Sequence, residues 1–423
     1  MLYERWRRIA GDRRNELALR DAASGKRWSF GELFDAGEIE KIVLDGAIFP
    51  QGHSPEFILQ LLAAWRENKI VCPLEPGQSP PEIFDVPKNC IHFKLTSATT
   101  GGARLVAFTA EQLAADGENI VATMGLRADW LNLGVISLAH SYGFSNLILP
   151  LLLHGIPLIL APAPLPEIIR RAAETEKFLT LPAVPAMWRA WHAADAIPKS
   201  IRLAISAGEP LPLKLETEIF YAHGLKIHNF LGASECGGIA FDATKIPRAD
   251  ATFAGTPMKN VKLSVSENGC LQIQSRAVGE TYWPEKSDSL GNGIFQASDL
   301  AELKDGKVFL RGRLNEQINV AGRKISPETI ERALLANPRV RECLVFGAPS
   351  RDAERGEAIV AIVVSDVDEN ILKQFLLKTL PAWQLPREWI FAESLAANAR
   401  GKISRAEWRR KFCSRHLSKL VPD

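Results

Sequence analysis

Two kinds of residue in this chain have types and spacing that could do chemistry: a dense run of hydroxyls and glycines, and a few isolated acids, a histidine and a lysine. In the stretch LTSATTGGARLVAFT, residues 95–109, Thr96, Ser97, Thr99, Thr100, Gly101 and Gly102 follow a strand-like segment, and Arg104 closes the run. Hydroxyl donors and backbone N–H groups on such a loop can curl round a phosphate, with the arginine supplying a fixed positive charge. The same residues also read as a polar surface loop with glycine turns, and on this segment alone both readings stand. The common nucleotide loop is excluded, because neither G-x-x-x-x-G-K-[ST] nor a G-x-G-x-x-G after a strand occurs. Elsewhere His140 in AHSYG, Glu235 in GASEC, Asp299 in SDL and Lys402 in RGKISR are isolated side chains able to carry charge or move a proton. Taken singly, each also reads as a packed histidine, a turn acid, a strand-end residue or a solvated lysine.

The composition narrows the classes. With 423 residues, 46% of them hydrophobic and 24% charged, the chain is long enough for two or three domains with a large core. A formal net charge of +2 gives no field that would advertise nucleic acid or an anionic membrane as the main partner. The local bias lies between Arg400 and Lys419, where eight Lys or Arg face one acid, Glu407. It fits a solvated helix face or a docking surface for something acidic. Cys72, Cys90, Cys236, Cys270, Cys343 and Cys413 are scattered without a CxxC pair or zinc spacing, as expected of reduced thiols. The N-terminus lacks the apolar segment of a signal peptide, and the greasiest run, residues 147–166, is broken by His154, Gly155 and prolines. A cytoplasmic protein without a membrane span is expected.

The elements that must position these residues alternate. EFILQLLAAWRENK (56–69) predicts an amphipathic helix before the strand-like IVCPL. PEIIRRAAETEKF before LTLPAV, and KLETEIFYAHG before LKIHNFLG, repeat the plan. Helix and strand taking turns predicts an α/β fold with a parallel sheet and ligands at the C-terminal ends of its strands. After about residue 255 the texture changes to short alternating pieces, with hairpins predicted at Glu267–Gly269 and Lys304–Gly306. A last unit opens with SPETIERALLAN, where Ser326 is placed to cap a helix that Pro327 begins.

The order of these segments carries a resemblance. TSATTGGARLV resembles the phosphate-loop motif T-S-G-[ST]-T-G-x-P-K-x-V of the adenylate-forming superfamily. Downstream, in that family's order, come ISLAHSYGFS (136–145), SAGEPLP (206–212), FLGASECGG (230–238), the long segment 297–331, RDAERGE (351–357) and LAANARGKISR (395–405). The resemblance covers the chain from about residue 95 to its end. It implies a large N-terminal domain, residues 1–313, of mixed and parallel sheets flanked by helices, with a β-rich subdomain over about 255–313. A small, mobile α+β C-terminal domain, 314–423, follows. It also implies ATP, Mg²⁺ and a thiol acceptor. In such an enzyme a carboxylic acid attacks the α-phosphate, pyrophosphate leaves, and the acyl group passes to CoA or to the phosphopantetheine of a carrier protein.

Residue by residue, Thr96, Ser97, Thr99, Thr100, Gly101 and Arg104 match the cradle for the β- and γ-phosphates. Ser234 matches the hydroxyl at the α-phosphate, and Glu235 the carboxylate that holds Mg²⁺. Ala207, Gly208, Glu209, Gly232 and Ala233 match segments lining the adenine. Asp299 matches the acid at the ribose hydroxyls, Arg313 an arginine beside it, and Lys402 the lysine bridging the attacking carboxylate and the α-phosphate. His140 matches a histidine that orients or gates the carboxylate. The chain departs from the pattern at Ala98 for glycine, Ala103 for proline and Arg104 for lysine, and at Asn315 in the hinge. The phosphate loop arrives by residue 96, earlier than in most relatives, so part of one N-terminal subdomain is expected to be missing or minimal.

No acid lies near AHSYGFS to pair with an ammonium. His140, Tyr142, Phe144 and Asn146, with Trp188, are expected to form a mostly apolar and aromatic wall suited to a fatty or aromatic acid. Gly322 matches the glycine beside which a pantetheine arm passes, and Lys324 a basic residue at phosphate. CoA is the favoured acceptor, with an acyl carrier protein the alternative, drawn to the basic tail. Two other classes remain: an adenylate-binding descendant without turnover, and a serine hydrolase using His140, for which the G-x-S-x-G elbow is absent.

Overall fold

The computed structural model describes residues 1–42, 46–96, 104–350, 356–395 and 404–417. Its centre is a parallel arrangement in which strands Leu17–Asp21, Leu158–Leu160, Leu131–Gly134, Leu179–Ala183, Ile201–Ser206 and Ile227–Ala233 lie side by side. Every residue of Leu179–Ala183 is buried. That burial on both faces follows from the helices that cross between parallel strands. The helices Pro166–Ala173 and Pro185–Ala193 each begin on a proline, whose fixed φ suits the first turn and whose missing N–H costs nothing there. The helix expected over 56–69 spans Pro55–Arg66. IVCPL forms only isolated bridges at Val71 and Leu74, because Pro73 has no N–H to donate to a ladder.

Beyond Ala233 the sheet changes character. Strand Gly237–Phe241 runs antiparallel to Ile227–Ala233, and Phe253–Pro257, Lys307–Arg313, Ile294–Lys304, Cys270–Gln274 and Lys262–Val265 continue the antiparallel order, completing a 14-stranded sheet. Both predicted hairpins form. At the second, Asp305 and Gly306 take φ of 51° and 70°, the left-handed pair that matches the twist of the strands. A separate antiparallel sheet joins His92–Leu95, Leu105–Phe108 and Thr281–Trp283, which sets Tyr282 opposite Val106 across 176 positions of sequence.

From Ile318 onward the chain builds its own core. Strand Val340–Pro349 pairs antiparallel with Glu357–Ser365, and Glu388–Phe391 runs parallel to the latter. Alternating residues divide between two faces: Val345, Ile359 and Leu372 pack on one, and Leu344, Phe346, Val360 and Phe412 on the other. Helix Pro327–Leu335 starts where expected, but Ser326 does not cap it. Its hydroxyl donates to the Glu328 carboxylate instead of receiving a backbone N–H.

At the end of strand Ile227–Ala233 remote from Gly232 lies a buried ionic knot. Lys226 Nζ bonds Glu216, Asp242 Oδ2 (2.6 Å) and the Ile227 carbonyl (2.8 Å), while Arg248 Nε meets Glu216 Oε2 at 2.8 Å. Each of the four side chains is buried. Removing one partner strands its counterions away from water, so Lys226→Met is expected to lower the free energy of unfolding by about 3–5 kcal/mol, measured by urea titration. A loss under about 1 kcal/mol would show the knot to be dispensable.

Candidate active site

The parallel strands end together. Ala183 pairs with Ser206 and Ser206 with Asn229, so the segments that continue past them, Ala207–Glu209 and Phe230–Ala233, emerge side by side at the C-terminal edge. Ala207 is buried and its N–H donates to the Ala183 carbonyl at 3.2 Å, while Gly208 is exposed and Glu209 half-buried. Gly232 is exposed, and Ala233 and Ser234 are half-buried. The Ser206 hydroxyl, fully buried at this edge, has no hydrogen-bond partner.

Beside these ends stands the first charged group. Thr96 N–H donates to the Arg104 carbonyl at 2.8 Å and Arg104 N–H to Thr96 Oγ1 at 3.2 Å, so the two residues close a neck. Ser97, Thr99, Thr100 and Gly101 lie outside the described residues, as does Lys402. The Arg104 guanidinium lies over the Tyr282 ring, 3.6 Å from its centroid, and the Tyr282 hydroxyl donates to Glu235 Oε1 at 3.0 Å. Burial holds the Glu235 carboxyl above the usual carboxylate range, with the Asp299 charge pushing the same way and Tyr282 and Arg104 opposing. Burial, and then the charge of Glu235, push the Tyr282 phenol well above its ordinary range, so it is a donor at any working pH.

The second charged group is a pair across the β ladder. Asp299 and Arg313 are register partners on neighbouring strands, and Arg313 Nε donates to Asp299 Oδ1 at 3.2 Å. Arg313 also reaches Glu316 Oε1 at 3.5 Å, in the short 3₁₀ turn Leu314–Glu316 that leads to the C-terminal part. Glu316 in turn contacts Arg405.

The aromatic wall is smaller than the sequence implied. His140 is half-buried and its Nδ1 accepts the Tyr142 N–H at 3.3 Å, which fixes the proton on Nε2 in the neutral ring. Tyr142 sits at the strand ends, its hydroxyl on the Ala183 carbonyl at 3.3 Å and its ring 5.8 Å from that of Phe230. Phe144 turns inward instead and packs on His92, ring centroids 4.5 Å apart. Asn146 is buried with its amide on the Tyr142 carbonyl, and Trp188 is wholly enclosed, its indole N–H on the Ile205 carbonyl at 3.2 Å. These three are core residues, because the π-helical turn Phe144–Ile148 and the helix Pro185–Ala193 present them to the sheet. Tyr282 and Phe230 are the site residues that sequence reading missed. Tyr282 had no local signal, since its place depends on a strand pairing with residues 105–107.

Residues 85–283 match the model of the AMP-binding enzyme family, and residues 329–402 that of the AMP-binding enzyme C-terminal domain. The chain is 28% identical over 364 residues to feruloyl-CoA synthase of Amycolatopsis sp, covering 80% of this chain and 72% of that protein. It is 30% identical over 235 residues to fatty acid–[acyl-carrier-protein] ligase ScoC of Streptomyces coeruleorubidus, covering 50% and 45%. Another curated relative, an uncharacterized acyl–CoA ligase, is spanned over 50% of its length. The fold of this chain is shared with ATP-bound MatB from Rhodopseudomonas palustris, at a TM-score of 0.86 and 19% identity, covering 98% of this chain and 100% of that one. With the family's two domain models matched in order along one chain, over residues 85–283 and 329–402, this protein belongs to the adenylate-forming superfamily of AMP-binding enzymes.

Proposed function

We propose that the protein activates a fatty or aromatic carboxylic acid with ATP, releasing pyrophosphate and forming an acyl-adenylate, and then transfers the acyl group to a thiol, CoA in the first instance. One acid oxygen bonds to the α-phosphorus as the bond to the β-phosphate oxygen breaks; the thiol sulfur then bonds to the acyl carbon as AMP leaves. The observation that carries this reading is the Arg104–Tyr282–Glu235 contact beside the ends of the parallel strands. It sets a fixed cation and an acid next to each other, as binding a polyphosphate together with a divalent cation demands.

The residues fit both groups. Mg²⁺ takes oxygen ligands and is commonly held by one or two carboxylates plus phosphates and water, so a single acid, Glu235, suffices. Mg²⁺ would supply charge neutralisation between the two anions that must meet. Small residues at 207, 208, 232 and 233 leave room for a flat base, and the unpartnered Ser206 hydroxyl at the same edge can reorient to a polar neighbour. Asp299, with two acceptor oxygens, takes both ribose hydroxyls, oriented by Arg313. Thr96, Ser97, Thr99, Thr100, Gly101 and Arg104 hold the terminal phosphates, Ser234 the α-phosphate, and His140 the attacking carboxylate. Tyr142 and Phe230 line the acyl side and offer no charge to an ammonium.

Residues 1–313 form the adenylating part and 314–423 a mobile domain carrying Lys402 between half-reactions. Gly322 and Lys324 flank the thiol's approach. An acyl carrier protein is the alternative acceptor, met by exposed Arg409, Arg410 and Lys411. Among the described residues no helix is long and apolar enough to cross a membrane, and the cysteines are free thiols; a cytoplasmic site of action is proposed. Pyrophosphate release should be measured across fatty, benzoic and cinnamic acids, each with and without CoA or a carrier protein. Release with one acid class and thioester with one thiol is expected; silence across the panel from folded protein overturns the reading.

A further inference from the structure

Beneath the strand ends, three polar side chains meet in the core. Lys94, Asp116 and Ser145 are 3%, 1% and 2% exposed. Lys94 Nζ lies 3.3 Å from Asp116 Oδ2 and 3.3 Å from Ser145 Oγ, and 4.7 Å above the Phe108 ring; Ser145 Oγ donates to Asp116 Oδ2 at 2.5 Å. The other carboxylate oxygen, Asp116 Oδ1, receives the Gly238 N–H at 3.2 Å. Gly237 has φ of 67°, and a Cβ there would stand 1.9 Å from Asp116 Oδ1, so the turn is pressed onto the carboxylate and admits no side chain.

A buried ion pair is an expensive way to fill a core, and apolar groups of the same volume stabilise at least as well. What this one does that apolar groups cannot is direct bonds to three named places. Lys94 stands two residues before Thr96, at the neck closed by Arg104. Gly237 and Gly238 follow Glu235 after one residue, Cys236. Ser145 follows the His140–Tyr142 turn. We infer that Lys94, Asp116 and Ser145 are positioning residues that fix the neck at Thr96–Arg104 against the Glu235 turn, so that adenylation depends on them although none touches a substrate. This rests on the function proposed above.

Because Asp116→Asn alone leaves a buried cation unpaired, the decisive variant is Lys94→Met/Asp116→Asn. It removes both charges, keeps volume, and leaves an amide oxygen for Gly238 and an amide donor for Ser145. The expected result is a melting temperature close to wild type, MgATP affinity weakened about ten-fold by calorimetry, and kcat for pyrophosphate release lowered at least about ten-fold, with KM for the acid unchanged. Ser145→Ala, which removes one oxygen and no charge, is expected to move kcat and MgATP affinity the same way by about three-fold, and decides the matter if the double variant does not fold. A double variant that is stable with wild-type MgATP affinity and kcat would overturn the inference, leaving the cluster a structural one. The affinity measurement separates this from the proposed function. Wild type that binds MgATP yet releases no pyrophosphate with any acid defeats the function, and the affinity shift alone then decides the positioning role; wild type that does not bind MgATP defeats both.

Discussion

Lys402→Ala is expected to slow acid-dependent pyrophosphate release by about 10²–10³-fold while leaving thioester formation from pre-made acyl-adenylate within a few-fold of wild type. The first half-reaction brings a carboxylate against a polyphosphate. Charge develops on the bridging oxygens, and a cation aimed at that place is worth most where water is excluded. The second half-reaction is attack of a thiol on a carbonyl with a good leaving group, and has no such demand. The described residues on either side of 396–403 are anchored in the C-terminal core. Leu395 is buried with its N–H on Glu342 Oε2 at 3.1 Å. Arg405 Nη2 lies 2.9 and 3.0 Å from the two oxygens of Glu331, and its Nε donates to the Val345 carbonyl at 2.8 Å. Burial pulls the Arg405 guanidinium down to about 10, still protonated at neutral pH, and pushes the Glu331 carboxyl up to about 8, so the cation is kept and the hydrogen bonds hold the clamp. Equal loss in both half-reactions would refute a role confined to adenylation.

What could be read from the sequence was what chemistry places locally. The strand-end segments at 207–209 and 232–235, and the acid and arginine at 299 and 313, came from short runs whose order matches the family, and the structure brings the first two segments to one edge and pairs the last two across a ladder. The hairpins were legible because turn residues with positive φ announce themselves. What was not legible depends on long-range pairing. Tyr282 reaches Glu235 only because Thr281–Trp283 joins the sheet of residues 92–108. Asp116 reads as one polar position in an otherwise amphipathic helix until Lys94 and Gly238 are seen against it. Phe144 and Trp188 misled for the opposite reason: an aromatic near a site motif is indistinguishable in sequence from one that faces the core. The 3.6-residue period is of no help through a π-helical turn.

Glu235→Gln is expected to lower kcat/KM for MgATP by about 100-fold while leaving the ligand-free protein as stable as wild type or more so at neutral pH. The glutamine oxygen can still accept the Tyr282 hydroxyl, so the local hydrogen bond survives and only the charge is lost. Burial raises the folded-state pKa of Glu235 above its unfolded value. An acid raised in this way contributes stability that is present below its unfolded pKa and lost as pH rises through its folded pKa, because the unfolded chain gives up its proton first. Above that window the wild-type protein carries a half-buried charge at a cost that the neutral amide does not bear. A divalent cation reverses the balance by pairing with the carboxylate, so Mg²⁺ together with ATP should stabilise wild type more than the variant. The same shift sets the activity profile. In wild type, kcat/KM for MgATP falls on the acid side at a pH above that of an exposed carboxylate, and raising Mg²⁺ moves that limb to lower pH. In Glu235→Gln the limb should vanish. If the variant instead melts well below wild type and keeps its kcat/KM, Glu235 is a structural acid and the metal must be sought on other oxygens.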